Sequence, residues 1–157
     1  MTQIGTCCFS GHREINPAIL PALREQLSML IKALIADGYH IFECGGALGF
    51  DTLAAQSVLS LKREYPDNKL ILVLPCTTQT KYWSEENKRI YNNILLQADD
   101  VEYIEKNYSR GCMFARNRKL VDTSSLCVCY LSKNKGGTAY TVNYAKHMRK
   151  EIINLFT

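Results

Sequence analysis

Six short apolar runs recur along this chain, and a stretch of helical or glycine-rich character separates each from the next. This alternation limits the fold more than any other feature. Strands that arrive singly, each followed by a helix, belong to a parallel sheet covered on both faces. The runs are "IGTCCFS" (4–10), "YHIFEC" (39–44), "KLILVLP" (69–75), "VEYIE" (101–105), "LCVCYL" (126–131) and "IINLF" (152–156). Between the first two, Ile19, Leu20, Leu23, Leu27, Leu30, Ile31, Leu34 and Ile35 recur at helical spacing, so this helix buries one stripe. Asn16 and Pro17 open it as cap and first residue, and Gly38 closes it. Further helices are read over 51–64, from Ser84 onward with Glu85 and Glu86 in the first turn, over 112–122, and over 137–150. The expected architecture is α/β: one Rossmann-like three-layer domain over 1–157, with a mostly parallel sheet of about six strands flanked by helices.

Length and composition agree. A chain of 157 residues is one domain by the usual prior, and its 46% apolar and 22% charged residues are those of a globule. No apolar run reaches membrane-spanning length, and "MTQIGTCCFSGHRE" lacks the layout of a signal peptide. A cytoplasmic protein without membrane partners is expected. The seven cysteines are an odd number with no C-x-x-C, which leaves no complete disulfide framework. Cys7, Cys8, Cys127 and Cys129 fall in strand runs, where a thiol packs as a small hydrophobe. Cys127 and Cys129 share a face, but nothing nearby completes metal-ligand spacing, so no metal is expected. Net charge is +4, which suits an anionic ligand and falls short of a duplex-DNA footprint.

In such sheets, ligands sit at the carboxyl ends of the strands, near the point where strand order reverses. Five loops occupy that edge. The first carries Ser10, Gly11, His12 and Arg13, where His12 and Arg13 could meet an anion; alone it reads rather as a polar turn with a solvated Arg, since one glycine is a weak signal. The second, "CGGALGFD", is more specific. Gly45, Gly46, Ala47 and Gly49 lie between strand and helix, where amides and a helix N-terminus can meet a phosphate. Asp51 follows, as a helix-stabilising acid or an acceptor for a ribose hydroxyl. The spacing is neither G-x-G-x-x-G nor a P-loop, which argues against an NAD or ATP cofactor site, and no cofactor is expected. The third loop offers Gln79, Tyr82 and Trp83, the aromatics either stacking on a base or packing at a helix entrance. The fourth brings Arg110, Arg116, Asn117, Arg118 and Lys119, with Arg116 and Lys119 on one helix face and Arg118 on another. A solvated basic helix explains these too, yet arginine forks suit phosphates. The fifth is "KGGTAYT", with Gly136, Gly137 and Thr138.

With these loops assembled, the chain resembles the SLOG superfamily, in its YpsA-like branch of small Rossmann-type proteins. The resemblance rests on "SGHRE", "GGALGFDTLAA", "RNRKLVDTSS" and "GGTAYTVNYA", and spans nearly the whole chain. It implies binding of a nucleotide or nucleotide-derived ligand, such as an ADP-ribose derivative or a cyclic nucleotide signal. Relatives include the DNA-processing protein DprA and the LOG phosphoribohydrolases, which use an Arg and a Glu in P-G-G-x-G-T-x-x-E. By position the Arg falls on Arg116, with Arg118 second, the Gly-Thr pair on Gly137 and Thr138, and the Glu on Thr141. Asn134 and Lys135 stand where the motif has its proline, and Thr141 cannot serve as a carboxylate. Glu43 and Asp51 are the acids left near the cleft, were the protein an enzyme.

The expectation is therefore a binder that senses or sequesters its ligand without catalysis. Amides of 45–49 and 136–138 would hold phosphate, Arg13 and Arg116 would neutralise it, Asp51 would address a ribose, and Trp83 or Tyr82 a base. The alternatives are a LOG-like N-glycosidase and DprA-like single-stranded DNA binding. The modest charge and lack of an aromatic row argue against nucleic acid. The apolar first helix is compatible with a homo-oligomer.

Overall fold

A computed structural model describes residues 5–157. Strand β1 (Thr6–Gly11) leads through a 3₁₀ turn (Pro17–Ile19) into helix α1 (Leu20–Ala36). Then follow β2 (Ile41–Cys44), α2 (Phe50–Leu61), β3 (Lys69–Leu74), α3 (Glu85–Gln97), β4 (Asp100–Tyr103), α4 (Cys112–Asp122), β5 (Leu126–Tyr130), α5 (Gly136–His147) and β6 (Glu151–Asn154). The strands form one sheet in the order β4-β3-β2-β1-β5-β6, and every neighbouring pair is parallel. This is the Rossmann-like α/β fold expected from the alternation. Ile4, expected as the first residue of β1, lies outside the described residues.

Period-two alternation divides the side chains of the central strands between two cores. Cys7, Phe9, Leu126 and Val128 point into the larger one, packed by Leu23, Leu27, Ile31 and Leu34 of α1 and by Phe50, Leu53, Ala54 and Val58 of α2. Cys8, Cys127 and Cys129 point into the smaller one with Leu120 and Val121 of α4 and Val142 and Ala145 of α5. The seven cysteines are free and buried. Burial pushes the thiols of Cys7 and Cys44 well above their ordinary value and that of Cys129 to about 11, and a hydrogen bond with Cys8, added to burial, does the same for Cys127, so they pack as neutral hydrophobes.

The helix starts are local chemistry. Asn16 Oδ1 accepts the Ala18 N–H at 3.0 Å, so it caps the 3₁₀ turn, and α1 proper begins only at Leu20. Ser84 Oγ accepts from the Asn87 N–H at 3.1 Å and starts α3. Among the described residues, no helix is long and apolar enough to cross a membrane.

One topological fact places the site. From β1 the chain builds outward through β2 and β3 to β4, then returns over the opposite face, by way of α4, to add β5 on the other side of β1. The connections leaving β1 and β5 therefore diverge, and a crevice opens at their carboxyl ends.

Candidate functional site

A cleft of about 340 Å³ occupies that crevice. Its walls come from the end of β1 (Ser10, Gly11, His12, Arg13), the turn into α2 (Ala47, Asp51), the first turns of α4, and the start of α5 (Gly136, Gly137, Thr138). Residues 136–138 belong to the first turn of α5, where their N–H groups have no partner within the helix and its dipole is positive.

Arg116 and Asp51 form the charged centre. Arg116 is 4% exposed and Asp51 6%. The guanidinium is held on three sides: Nε donates to Asn117 Oδ1 at 2.8 Å, Nη1 to the Gly45 carbonyl, and Nη2 to Met113 Sδ at 3.8 Å. Gly45 permits this approach, since a Cβ there would lie 2.7 Å from Arg116 Nη1 and 3.0 Å from Asp51 Oδ2. Asp51 Oδ2 accepts the Ala47 N–H at 3.2 Å. Burial raises the Asp51 carboxyl from 3.8 to about 6, although Arg116, the Ala47 amide and Arg13 pull the other way. Burial likewise lowers Arg116, which Asp51 partly offsets. Two charges are thus kept in a place that penalises both, beside an open cleft. Perturbed groups in a crevice are the usual mark of a functional site.

Gly49 shapes the rim. Its φ is 76°, and a Cβ there would fall 2.2 Å from the Arg13 carbonyl oxygen, so glycine alone lets the start of α2 lie against the β1 loop. The Phe50 N–H then donates to the His12 carbonyl at 3.1 Å, locking the two loops together.

The structure brings together Ser10, Gly11, His12, Arg13, Ala47, Asp51, Arg116, Asn117, Gly136, Gly137 and Thr138 around this one cleft. Other candidates stand apart. Gly45 supports Arg116 from behind, and Gly46 packs against Leu74 and Gln79. Gln79 donates to Tyr91 Oη at 3.2 Å, and Trp83 sits edge-on to the same ring with centroids 5.5 Å apart. Tyr82 is 90% exposed. Arg118 donates to Tyr140 Oη at 2.8 Å in a neighbouring surface depression that also includes Arg110. Lys119 pairs with Glu102 at 2.9 Å on the surface. Glu43 accepts from the Thr123 hydroxyl at 2.6 Å and the Ser124 hydroxyl at 3.2 Å, facing the smaller core's edge. Burial raises its carboxyl. Thr141 is fully buried, its hydroxyl donating to the Gly137 carbonyl of its own helix at 2.9 Å.

Met113, Phe114 and Lys135 also line the cleft. No motif in the sequence marks them, although Met113 stands three and four residues before Arg116 and Asn117, on one helix face.

A family model, YpsA, described as the YspA SLOG family, matches residues 7–155. The chain belongs to this SLOG family. Among curated proteins, this SLOG chain is 32% identical over 138 residues to a UPF0398 protein of Bacillus pumilus, covering 86% of this chain and 74% of that one. It is 33% identical over 144 residues to the uncharacterized SPbeta prophage-derived protein YoqJ of Bacillus subtilis, covering 83% and 84%. Among solved structures it resembles DNA processing protein A from Helicobacter pylori, determined for its single-stranded DNA binding mode, with TM-score 0.65 and 22% identity. It also resembles DprA from Streptococcus pneumoniae, with TM-score 0.67 and 16% identity. The SLOG chain is covered to 94% in both cases and spans 63% and 48% of those longer chains.

These neighbours overturn one expectation. The modest net charge and the lack of an aromatic row argue against nucleic acid, yet the H. pylori neighbour with this fold is a single-stranded DNA binder. A whole-chain balance of +4 was the wrong quantity. Arg13, Arg116 and Lys135 line the cleft, and the depressions beside it add Lys133 on one side and Arg110 and Arg118 on the other. Local potential, not the chain average, governs association with a polyanion.

Proposed function

We propose that the cleft binds the phosphate and sugar of a nucleotide or nucleotide-derived ligand, and that the protein senses or sequesters it without catalysis. One observation carries this reading: Arg116 is buried, held by three partners, and set beside Asp51 in a crevice whose opposite wall is the first turn of α5. A phosphate in the cleft would receive the N–H groups of residues 136–138 and the charges of Arg13 and Arg116. Asp51, with one oxygen on the Ala47 amide, has its other oxygen for a ribose hydroxyl. An ADP-ribose derivative, or a cyclic nucleotide acting as a signal, has this combination of groups. Membership of a SLOG family supports the same class of ligand.

Thr141 favours binding over hydrolysis. It occupies the position of the LOG glutamate, and its hydroxyl is committed to its own helix. Asp51 is the carboxylate within the cleft, so an N-glycosidase would have to run through it.

Single-stranded nucleic acid is the second reading, favoured by the basic depressions on both flanks of the cleft. It uses the same phosphate site, with the strand continuing outward.

Calorimetry with AMP, ADP-ribose and a short oligothymidylate, on the wild type and on Arg13→Ala and Arg116→Lys, tests these readings. Binding that both substitutions weaken is the expected result. Absence of heat with all three probes, or variants that bind as the wild type does, would overturn the proposal. Free base released from AMP, and lost in Asp51→Asn, would replace it with the hydrolase.

A further inference from the structure

The connection between β5 and α5, residues 131–135, forms a strap along the cleft, and its residues 132–135 are exposed. It carries Lys133, and it ends on Lys135 and the glycines of the α5 first turn, which line the cleft. Two side chains fix it, one from β6 and one from the loop after β1. At its start, Asn154 of β6 brackets Leu131, accepting its N–H and donating to its carbonyl, both at 3.1 Å. In its middle, the His12 ring receives two backbone N–H groups at one atom. Ser132 N–H and Lys133 N–H reach His12 Nε2 at 3.0 and 3.2 Å.

That geometry sets the state of the ring. A nitrogen that accepts two N–H groups carries no hydrogen, so the neutral ring has its proton on Nδ1. A proton added to Nε2 would point at both donors and break both bonds. The groups facing the ring are mostly cationic or neutral: Lys133 on the strap, Arg13 beside it on its own loop, and Ser132, with Glu14 the one acid in the same depression. Burial and Lys133 together lower the imidazole below its ordinary value, so the ring is neutral at physiological pH.

We propose that His12 is the positioning residue of this strap, holding Lys133, Lys135 and the first amides of α5 against the cleft, and that its protonation releases them. The hold on the strap stands on geometry alone; its effect on affinity rests on the ligand reading given above.

Two measurements on the intact protein separate the parts. The first is nitrogen-detected NMR of the His12 ring with pH. The expected result is the Nδ1–H tautomer at pH 8 and a titration midpoint below 6.5. The Ser132 and Lys133 amides should shift and lose exchange protection along that same curve. His12→Gln keeps an acceptor at the Nε2 position and cannot be charged, so its strap amides should stay protected throughout. An Nε2–H tautomer, or strap amides blind to the ring's titration, would overturn the proposal.

The second measurement is the affinity for ADP-ribose, whose pyrophosphate does not titrate in this range. Between pH 7.5 and 5.5 the wild type should weaken measurably more than His12→Gln, by a factor of up to about tenfold, since each pH unit below a linked midpoint is worth up to tenfold. Titration of Asp51 is common to both proteins and cancels in that ratio. Equal pH profiles would overturn the link to the cleft. A wild type that fails to bind ADP-ribose at any pH would remove the ligand reading, while the NMR result would still decide whether His12 holds the strap.

Discussion

Asp51 shows how single residues bear the cost of this site. Its carboxyl is raised to about 6 against an ordinary 3.8, with burial as the leading cause. Below pH 3.8 the group is protonated whether the chain is folded or not, and it contributes nothing. Between the two values the folded state holds the proton more tightly, so stability falls as pH rises. Above about 6 the full penalty is present, about 3 kcal/mol as an upper bound. Asp51→Asn should therefore be more stable than the wild type at pH 7, by up to about 3 kcal/mol, and the difference should shrink toward zero near pH 4. Urea denaturation across that range would check it, and a variant less stable at pH 7 would contradict it. The same substitution should weaken ligand binding, the trade expected when a strained group is kept for function. Gly45→Ala acts on the same centre from behind. Its Cβ would press on Arg116 Nη1 at 2.7 Å, so we expect a loss of about 1–3 kcal/mol in stability and weaker ADP-ribose binding, read by melting and calorimetry.

The elements were largely legible because each carries its own signal. Strand β3 repeats nearly the run expected at 69–75, and α4 covers the 112–122 of its sequence pattern. Boundaries moved where local chemistry competed. The 3₁₀ turn delays α1, and α5 begins one residue before the expected Gly137, so Gly136 moves from the loop into the helix's first turn. The site was legible as a set of loops at one sheet edge, since topology alone brings those loops together. What the sequence hid was orientation. A pattern gives Arg116 a helix face but not its burial against the Gly45 carbonyl, and Glu43 and Asp51 look alike until the fold turns one away. Nor could a pattern show two amides meeting His12. Phe50 illustrates the coupling between element and site. Its ring is buried between Phe9, at 6.4 Å, and Tyr130, at 6.1 Å, at the very start of α2, one residue before Asp51. Phe50→Ala should cost about 3–5 kcal/mol in stability. Because the helix start would sag, Asp51 should also lose its raised carboxyl, which carboxyl-resonance NMR with pH would report.

At the scale of the whole molecule, the switch in strand order does more than open a crevice. It gathers cations that the overall balance of +4 conceals. Lys133, Arg13, Arg116, Lys135, Arg110 and Arg118 follow one another through three adjoining depressions along the carboxyl edge of the sheet. A free nucleotide needs only the middle of this row, whereas a strand would engage its ends. Salt distinguishes the two, because each phosphate neutralised by the protein releases counterions, with a slope near 0.7 per contact for single strands. For a small ligand held by Arg13 and Arg116, affinity should fall only weakly with salt. For oligothymidylate spanning the row, the slope should be steeper. Removing an outer cation, Arg110→Ala or Arg118→Ala, should then lower that slope by about 0.7 while leaving ADP-ribose affinity unchanged. Fluorescence anisotropy at several salt concentrations reads both. If the outer variants change neither slope nor affinity, the row is ordinary solvated surface, and recognition is confined to the pocket around Arg116 and Asp51.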